Sequence, residues 1–267
     1  MEGNFWLAFS LTIIAGLSTT IGSAVVLFTK QFSKRFLAAS LGFSAGVMIF
    51  ISLVELYGDA KESLVTLFGS GKGDFVALLS FFGGIALIAV IDYLVPSGEN
   101  PHEPGEISIR SEGSQVSKEK MMRLGLMSAL AIGIHNFPEG IATFVTAMND
   151  PNLGLSIAVA VGIHNIPEGI AVAIPIYYAT RSKGKAFFHS TLSGLAEPIG
   201  ALVGYFLLSF LFDDSFMGII LAGVAGIMVY ISLDELLPTA EKYGEHHPAI
   251  LGVIGGMAVM GVSLLFL

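Results

Sequence analysis

The chain has 267 residues, of which 54% are hydrophobic and only 13% charged, and its mean hydropathy of +0.78 is too high for a soluble domain, which needs more polar surface. A net charge of −8 argues against a nucleic-acid partner. The absence of cysteine excludes disulfides and thiolate metal ligands together, so any bound metal must be held by nitrogen and oxygen donors.

Taken in chain order, eight apolar windows are each long enough to cross a hydrocarbon core of about 30 Å. They run from Phe5 to Thr29, Phe36 to Tyr57, Phe75 to Val95, Met121 to Met148, Leu153 to Tyr178, Ala186 to Phe212, Phe216 to Pro238 and Pro248 to Leu267. The expected fold is therefore all-α, a polytopic membrane protein of eight transmembrane helices forming one domain over residues 1–267. The first window lacks a basic leader and exceeds a signal-peptide core, so it is expected to stay in the mature protein. Between the third and fourth windows, residues 96–120 carry Pro, Gly, Ser, five Glu and the single His102. This composition predicts a flexible cytoplasmic loop in which His102 is solvated.

Basic residues are retained on the cytoplasmic side of a membrane. Eleven of the thirteen Lys and Arg residues fall in one alternate set of loops: Lys30, Lys34, Arg35, Arg110, Lys118, Lys120, Arg123, Arg181, Lys183, Lys185 and Lys242. The other set holds only Lys61 and Lys72, beside Asp59, Glu62, Asp74, Asp150, Asp213 and Asp214. Both termini are thus expected outside, in a multi-pass protein of the plasma or inner membrane.

The chain also resembles itself. Gly46 to Leu56 matches Gly226 to Leu236 in windows two and seven, and Ile134 to Ala142 matches Ile163 to Ala171 in windows four and five. Each pair lies in spans of opposite direction, which predicts inverted repeats, spans 1–3 and 6–8, around a central four/five pair.

The second repeat is His-Asn-x-Pro-Glu-Gly, at His135 to Gly140 and His164 to Gly169. A His and a Glu four residues apart share one helical face and can share one ion, while Asn136 and Asn165, rotated by about 100°, reach a second position beside it. Pro138 and Pro167 lack an N–H and free the carbonyls of Ile134 and Ile163. A carboxylate at mid-bilayer costs at least about 2.5 kcal/mol, and no Lys or Arg lies within the apolar windows except Arg123 near an end. Compensating charge must then come from protons or bound cations. Two imidazoles with two carboxylates suit zinc and also accept iron(II), manganese or cadmium; the plainer alternative is a His/Glu hydrogen-bond network joining two helices.

Glu197, followed by Pro198, is expected to serve the second ion position with Asn136, Asn165, Glu139 and Glu168, or else to be a buried protonated acid. Glu55 and Glu235 are repeat-related acids that fit a gate or a wetted interface equally well. Met48 and Met228 fit helix packing, Asp92 and His189 fit membrane boundaries, and His246 with His247 fits a solvated loop pair.

The paired motifs, with Ser193-Gly194-Leu195-Ala196-Glu197-Pro198 in the sixth window, resemble the ZIP family of divalent metal transporters, and closely one bacterial branch of it, over essentially the whole chain. The resemblance implies a binuclear site halfway along a transport path. His135, Glu139, His164 and Glu168 would match its first metal position, with Met48 as a contributor from span two. Asn136, Glu139, Asn165, Glu168 and Glu197 would match its second. At Glu55 the chain departs from the many relatives that carry His there. The function implied is uptake of zinc, and of iron(II), manganese and cadmium, into the cytoplasm by alternating access, with the ion as cargo and no cofactor. Expected partners are divalent metal ions and membrane lipid, with a second copy of the chain allowed. Two rivals are an intramembrane metalloenzyme, disfavoured because His-Glu-x-x-His is missing, and a proton-coupled carrier of an organic solute.

Overall fold

The computed structural model describes residues 2–28, 33–94, 118–210, 214–243 and 246–266. Every regular element among them is helical. The predicted loop at 96–120 lies outside these residues except for its last three, and His102 lies outside them too.

Helix α1 spans Glu2–Phe28. Helix α2 (Lys34–Phe50), a π-helical segment (Ile51–Leu56) and α3 (Tyr57–Phe68) follow one another without a break, so the second span runs a further turn or more beyond its expected end at Tyr57. Gly69 and Gly71, both at positive φ, turn the chain into α4 (Lys72–Leu94). Long helices α5 (Lys118–Asn149) and α6 (Pro151–Thr180) meet at Asp150, whose carboxylate accepts hydrogen bonds from the N–H groups of Asn152 and Leu153 and so caps α6.

The expected sixth span is divided at Leu195 into α7 (Lys183–Gly194) and α8 (Ala196–Phe210), directly before Glu197 and Pro198. Helix α9 (Asp214–Ile231) passes through a second π segment (Ser232–Leu236) into α10 (Leu237–Tyr243), and α11 (His246–Phe266) follows. Among the described residues, six helical stretches are long and apolar enough to cross a membrane. Helix α5, which carries a basic first turn and a polar centre, and the divided α7–α8 pair are the two expected spans outside that set.

Both π segments fall inside the first sequence repeat. In each, a backbone N–H reaches five residues back: Tyr57 to Ser52 and Leu237 to Ser232. The two stretches of like sequence thus adopt the same uncommon geometry.

Helix packing is close because small residues sit at the crossings, the usual route to tight association where apolar side chains gain little by leaving lipid. A Cβ added at Gly46 would strike the carbonyl of Val253 on α11, and one at Gly226 would strike that of Phe81 on α4. The same correspondence recurs at the centre, where Gly16 and Gly194 each face the other's carbonyl. Gly22 faces the Ile166 carbonyl as Gly200 faces that of Phe137, and Gly169 faces Thr19 as Gly140 faces Glu197. Helix α6 packs on α1 as α5 packs on α8, and α2 packs on α11 as α9 packs on α4.

Gly46→Ala should lower the thermal midpoint of the detergent-purified chain, since overpacking costs about 1–3 kcal/mol. Gly83, with nothing near its missing Cβ, is the control: Gly83→Ala should hold or raise the midpoint. Equal effects would show that backbone contact at the α2–α11 crossing does not govern packing.

Candidate metal centre

Helices α5 and α6 each continue through an interior proline of the repeated motif. At their crossing lie His135, Asn136, Glu139, His164, Asn165 and Glu168, all at or below 1% exposure, joined by fully buried Glu197 from the first turn of α8. The seven motif residues singled out from sequence are thus gathered in the bundle interior. Met48 on α2 is also fully buried.

The nearest His–Glu contacts run between helices and not along one. His135 Nε2 is 3.1 Å from Glu168 Oε1, and His164 Nε2 is 3.1 Å from Glu139 Oε1. The one-turn contact from His135 to Glu139 is longer, at 3.8 Å. The asparagines follow the same crossing rule: Asn136 Nδ2 donates to the Ser193 carbonyl at 3.3 Å and Asn165 Nδ2 to the Ala15 carbonyl at 3.0 Å. Asn165 Nδ2 also donates to Glu197 Oε1. Among the described residues, no three His, Asp or Glu side chains already form a metal cage; the carboxylates are closed onto the imidazoles as pairs.

What these residues leave free is as informative as what they bind. His135 Nδ1, His164 Nδ1, Asn136 Oδ1, Asn165 Oδ1 and the Oε2 atoms of Glu139, Glu168 and Glu197 are all buried without a hydrogen-bond partner. With the imidazole proton on Nε2, facing a carboxylate, each Nδ1 carries a lone pair. Buried polar atoms are normally satisfied, so seven lone-pair atoms without partners in one cluster make a donor set fit for a cation.

Sequence reasoning missed Ser44. This buried α2 residue donates to Glu168 Oε1 at 2.8 Å and lies 3.4 Å from the His164 carbonyl. One turn from Met48, it shares that residue's helical face; the only signal was its place among the small residues Ser44, Ala45 and Gly46. Ser44 breaks the correspondence between the two sides, because its repeat partner is the apolar Val224. Glu197 breaks it too, since Thr19 occupies the corresponding place on α1.

The remaining acids and histidines separate. Glu235 is 7% exposed with Oε2 unpartnered, whereas Glu55 is only half-buried, so these repeat-related residues are not equivalent. Asp92 is half-buried. His189 is half-buried against the Phe188 ring. His246 and His247 are exposed, and His246 Nδ1 lies 2.7 Å from Glu241, which agrees with a solvated pair.

A bundle of membrane-length helices that buries imidazoles, carboxamides and carboxylates at its centre defines a multi-pass membrane protein with an interior suited to cations. The pattern of the family described as ZIP Zinc transporter matches residues 96–264, and the chain belongs to that family. It is 59% identical to the Zinc transporter ZupT of Chlorobium chlorochromatii over 265 residues, covering 99% of both chains. It is 56% identical to the Zinc transporter ZupT of Clostridium perfringens, covering 98% of this chain and 96% of that one. Against the Lysinibacillus sphaericus protein of the same name it is 55% identical over the full length of both.

The crossed pairs predict unequal histidines. Without His135, Glu168 keeps Ser44 and Glu139 keeps His164; without His164, Glu139 keeps only the longer contact to His135. In metal-free protein, His164→Ala should therefore destabilise the fold more than His135→Ala, by about 1.5–3 kcal/mol, the scale of a lost hydrogen bond to a charged group, and so show the lower thermal midpoint. The reverse order would contradict these pairings.

Proposed function

We propose that the chain takes up zinc into the cytoplasm by alternating access, through a binuclear site formed by His135, Asn136, Glu139, His164, Asn165, Glu168 and Glu197, with Met48 contributing from α2. Iron(II), manganese and cadmium are further cargo. The observation that carries this reading is the cluster of seven buried lone-pair atoms without partners. Nitrogen and carboxylate donors in this ratio suit zinc and are acceptable to the other three ions. The relatives, which match the chain nearly from end to end, carry the name Zinc transporter, which supports zinc as the cargo.

The paired contacts at the helix crossings support eight spans arranged as inverted repeats around α5 and α6. The loop charge asymmetry supports termini on the outer side of the cell membrane. Each carboxylate then has two roles. Closed onto an imidazole it is compensated without metal; turned toward an ion it contributes charge that lets two dications lie close together. A metal that takes the paired Oε1 atoms along with the free Oε2 atoms separates the pairs, and a departing metal lets them close again.

Zinc uptake by proteoliposomes containing the purified chain is the direct test, and a wild-type protein that moves no divalent ion would overturn the proposal. In the same assay His135→Ala and His164→Ala should each reduce uptake at limiting zinc. Uptake should also fall as the outer medium is acidified, because coordination needs neutral imidazole and ionised carboxylate and protons compete for those lone pairs. A profile flat between about pH 5 and 7.5 would contradict ligation by these residues.

Bound metal per purified chain examines the sharing of carboxylates. Glu139→Gln keeps the size and one acceptor oxygen but removes a negative charge, so stoichiometry should drop from about two toward one or none. If Glu197→Gln abolished all binding while Glu139→Gln retained two ions, the bridging role would belong to α8.

A further inference from the structure

Among the described buried residues of α2, Ser44 is the one with a polar side chain; the others are glycine, alanine, valine, leucine and methionine. Packing does not call for that hydroxyl, because the repeat-related place on α9 is filled by Val224, which is apolar and 5% exposed. A serine carried into an apolar crossing is kept there by what it binds, since a buried hydroxyl without a partner is costly.

Two acceptors face it, both on α6. Its Oγ lies 2.8 Å from Glu168 Oε1 and 3.4 Å from the His164 carbonyl. One hydroxyl has one proton to give, and the shorter approach to the carboxylate takes it. His135 Nε2 comes to the same oxygen at 3.1 Å. Two donors therefore converge on Oε1 of Glu168, while its Oε2 has no partner. Oε1 of Glu139 has one donor at comparable distance, His164 Nε2 at 3.1 Å. The two carboxylates of the repeated motif are thus matched in sequence and unequal in what a cation has to displace.

We propose that Ser44 is a positioning residue that lowers the affinity of the centre for its ion by competing for Glu168 Oε1. The inference rests on Glu168 being a metal ligand, as in the transport reading. A cation that takes this oxygen displaces the serine proton, which turns to the His164 carbonyl beside it and stays satisfied. Exchanging a charge-assisted bond for a neutral one weakens metal binding by the difference, about five- to ten-fold. On release the exchange runs backwards, and the hydroxyl returns to Oε1 as the ion leaves. Affinity lowered by the protein's own donor suits a carrier, whose site must empty as readily as it fills.

The test measures the zinc Kd of the full-length chain in detergent, by competition with a fluorescent chelator. Ser44→Ala, which removes the hydroxyl with little change of shape, should bind zinc about five- to ten-fold more tightly than wild type. Cadmium should tighten by the same factor, because the bond removed is the protein's own. In proteoliposomes the variant should lower both KM and Vmax, as slower release limits turnover. Ser44→Thr, which returns the hydroxyl, should restore the wild-type Kd. An unchanged or weaker Kd in Ser44→Ala would overturn the proposal, and a weaker one would make Ser44 a ligand instead. A threonine variant as tight as the alanine variant would trace the effect to packing and overturn it as well. Wild-type protein that bound zinc and moved none would overturn the transport reading alone, with the Kd comparison still deciding the role of Ser44; wild-type protein that bound no zinc would overturn both.

Discussion

The structure depends on one constraint: carboxylates buried among apolar helices need hydrogen-bond donors or positive charge close by. Glu139 and Glu168 meet it by reaching across the α5–α6 crossing to the histidine of the other helix. A contact along a single helix would leave the two helices free to slide. Crossed contacts fix their register, and with it the positions of Asn136 and Asn165 against α7 and α1. The glycines at the surrounding crossings serve the same end, because only backbones in contact bring those side chains within hydrogen-bond reach.

A centre held this way would, on the proposed transport reading, have two chemistries. Imidazole N–H groups satisfy the carboxylates in this structure, and a bound ion would take their place at the same oxygen atoms. The competition requires no moving lid at the site itself, since a short side-chain rotation exchanges one partner for the other. Ser44 makes the exchange uneven. It donates to Oε1 of Glu168 beside His135, whereas no described hydroxyl does the same for Glu139.

Much of this was legible in the sequence because membrane helices carry strong signals. Long apolar windows located the helices, and two copies of a six-residue motif located all six central side chains with Glu197 beside them. Cross-helix pairing was not legible: spacing along a chain reports which residues share a face, and the one-turn His135–Glu139 contact it suggested is the longer one. A lone serine in a helix has no periodicity to betray it, so Ser44 stayed hidden. The division of the sixth span at Leu195 was foreshadowed only by Pro198. The continuation of the second span to Phe68 was masked by Asp59, Lys61 and Glu62, whose charge reads as loop although the helix simply runs on past the apolar zone.

The two π segments carry a mechanical consequence. A π turn inserts one residue into the α repeat, which advances everything beyond it by about 100° around the axis. In α2–α3 and again in α9–α10 the inserted residue works like a slipped thread on a screw. The half of the rod that packs near α5 and α6 is phased independently of the half that reaches the far surface. Such a rod presents one phase of side chains to the central helices and another to the far surface, and the change of phase falls at the carbonyls of Ser52 and Ser232.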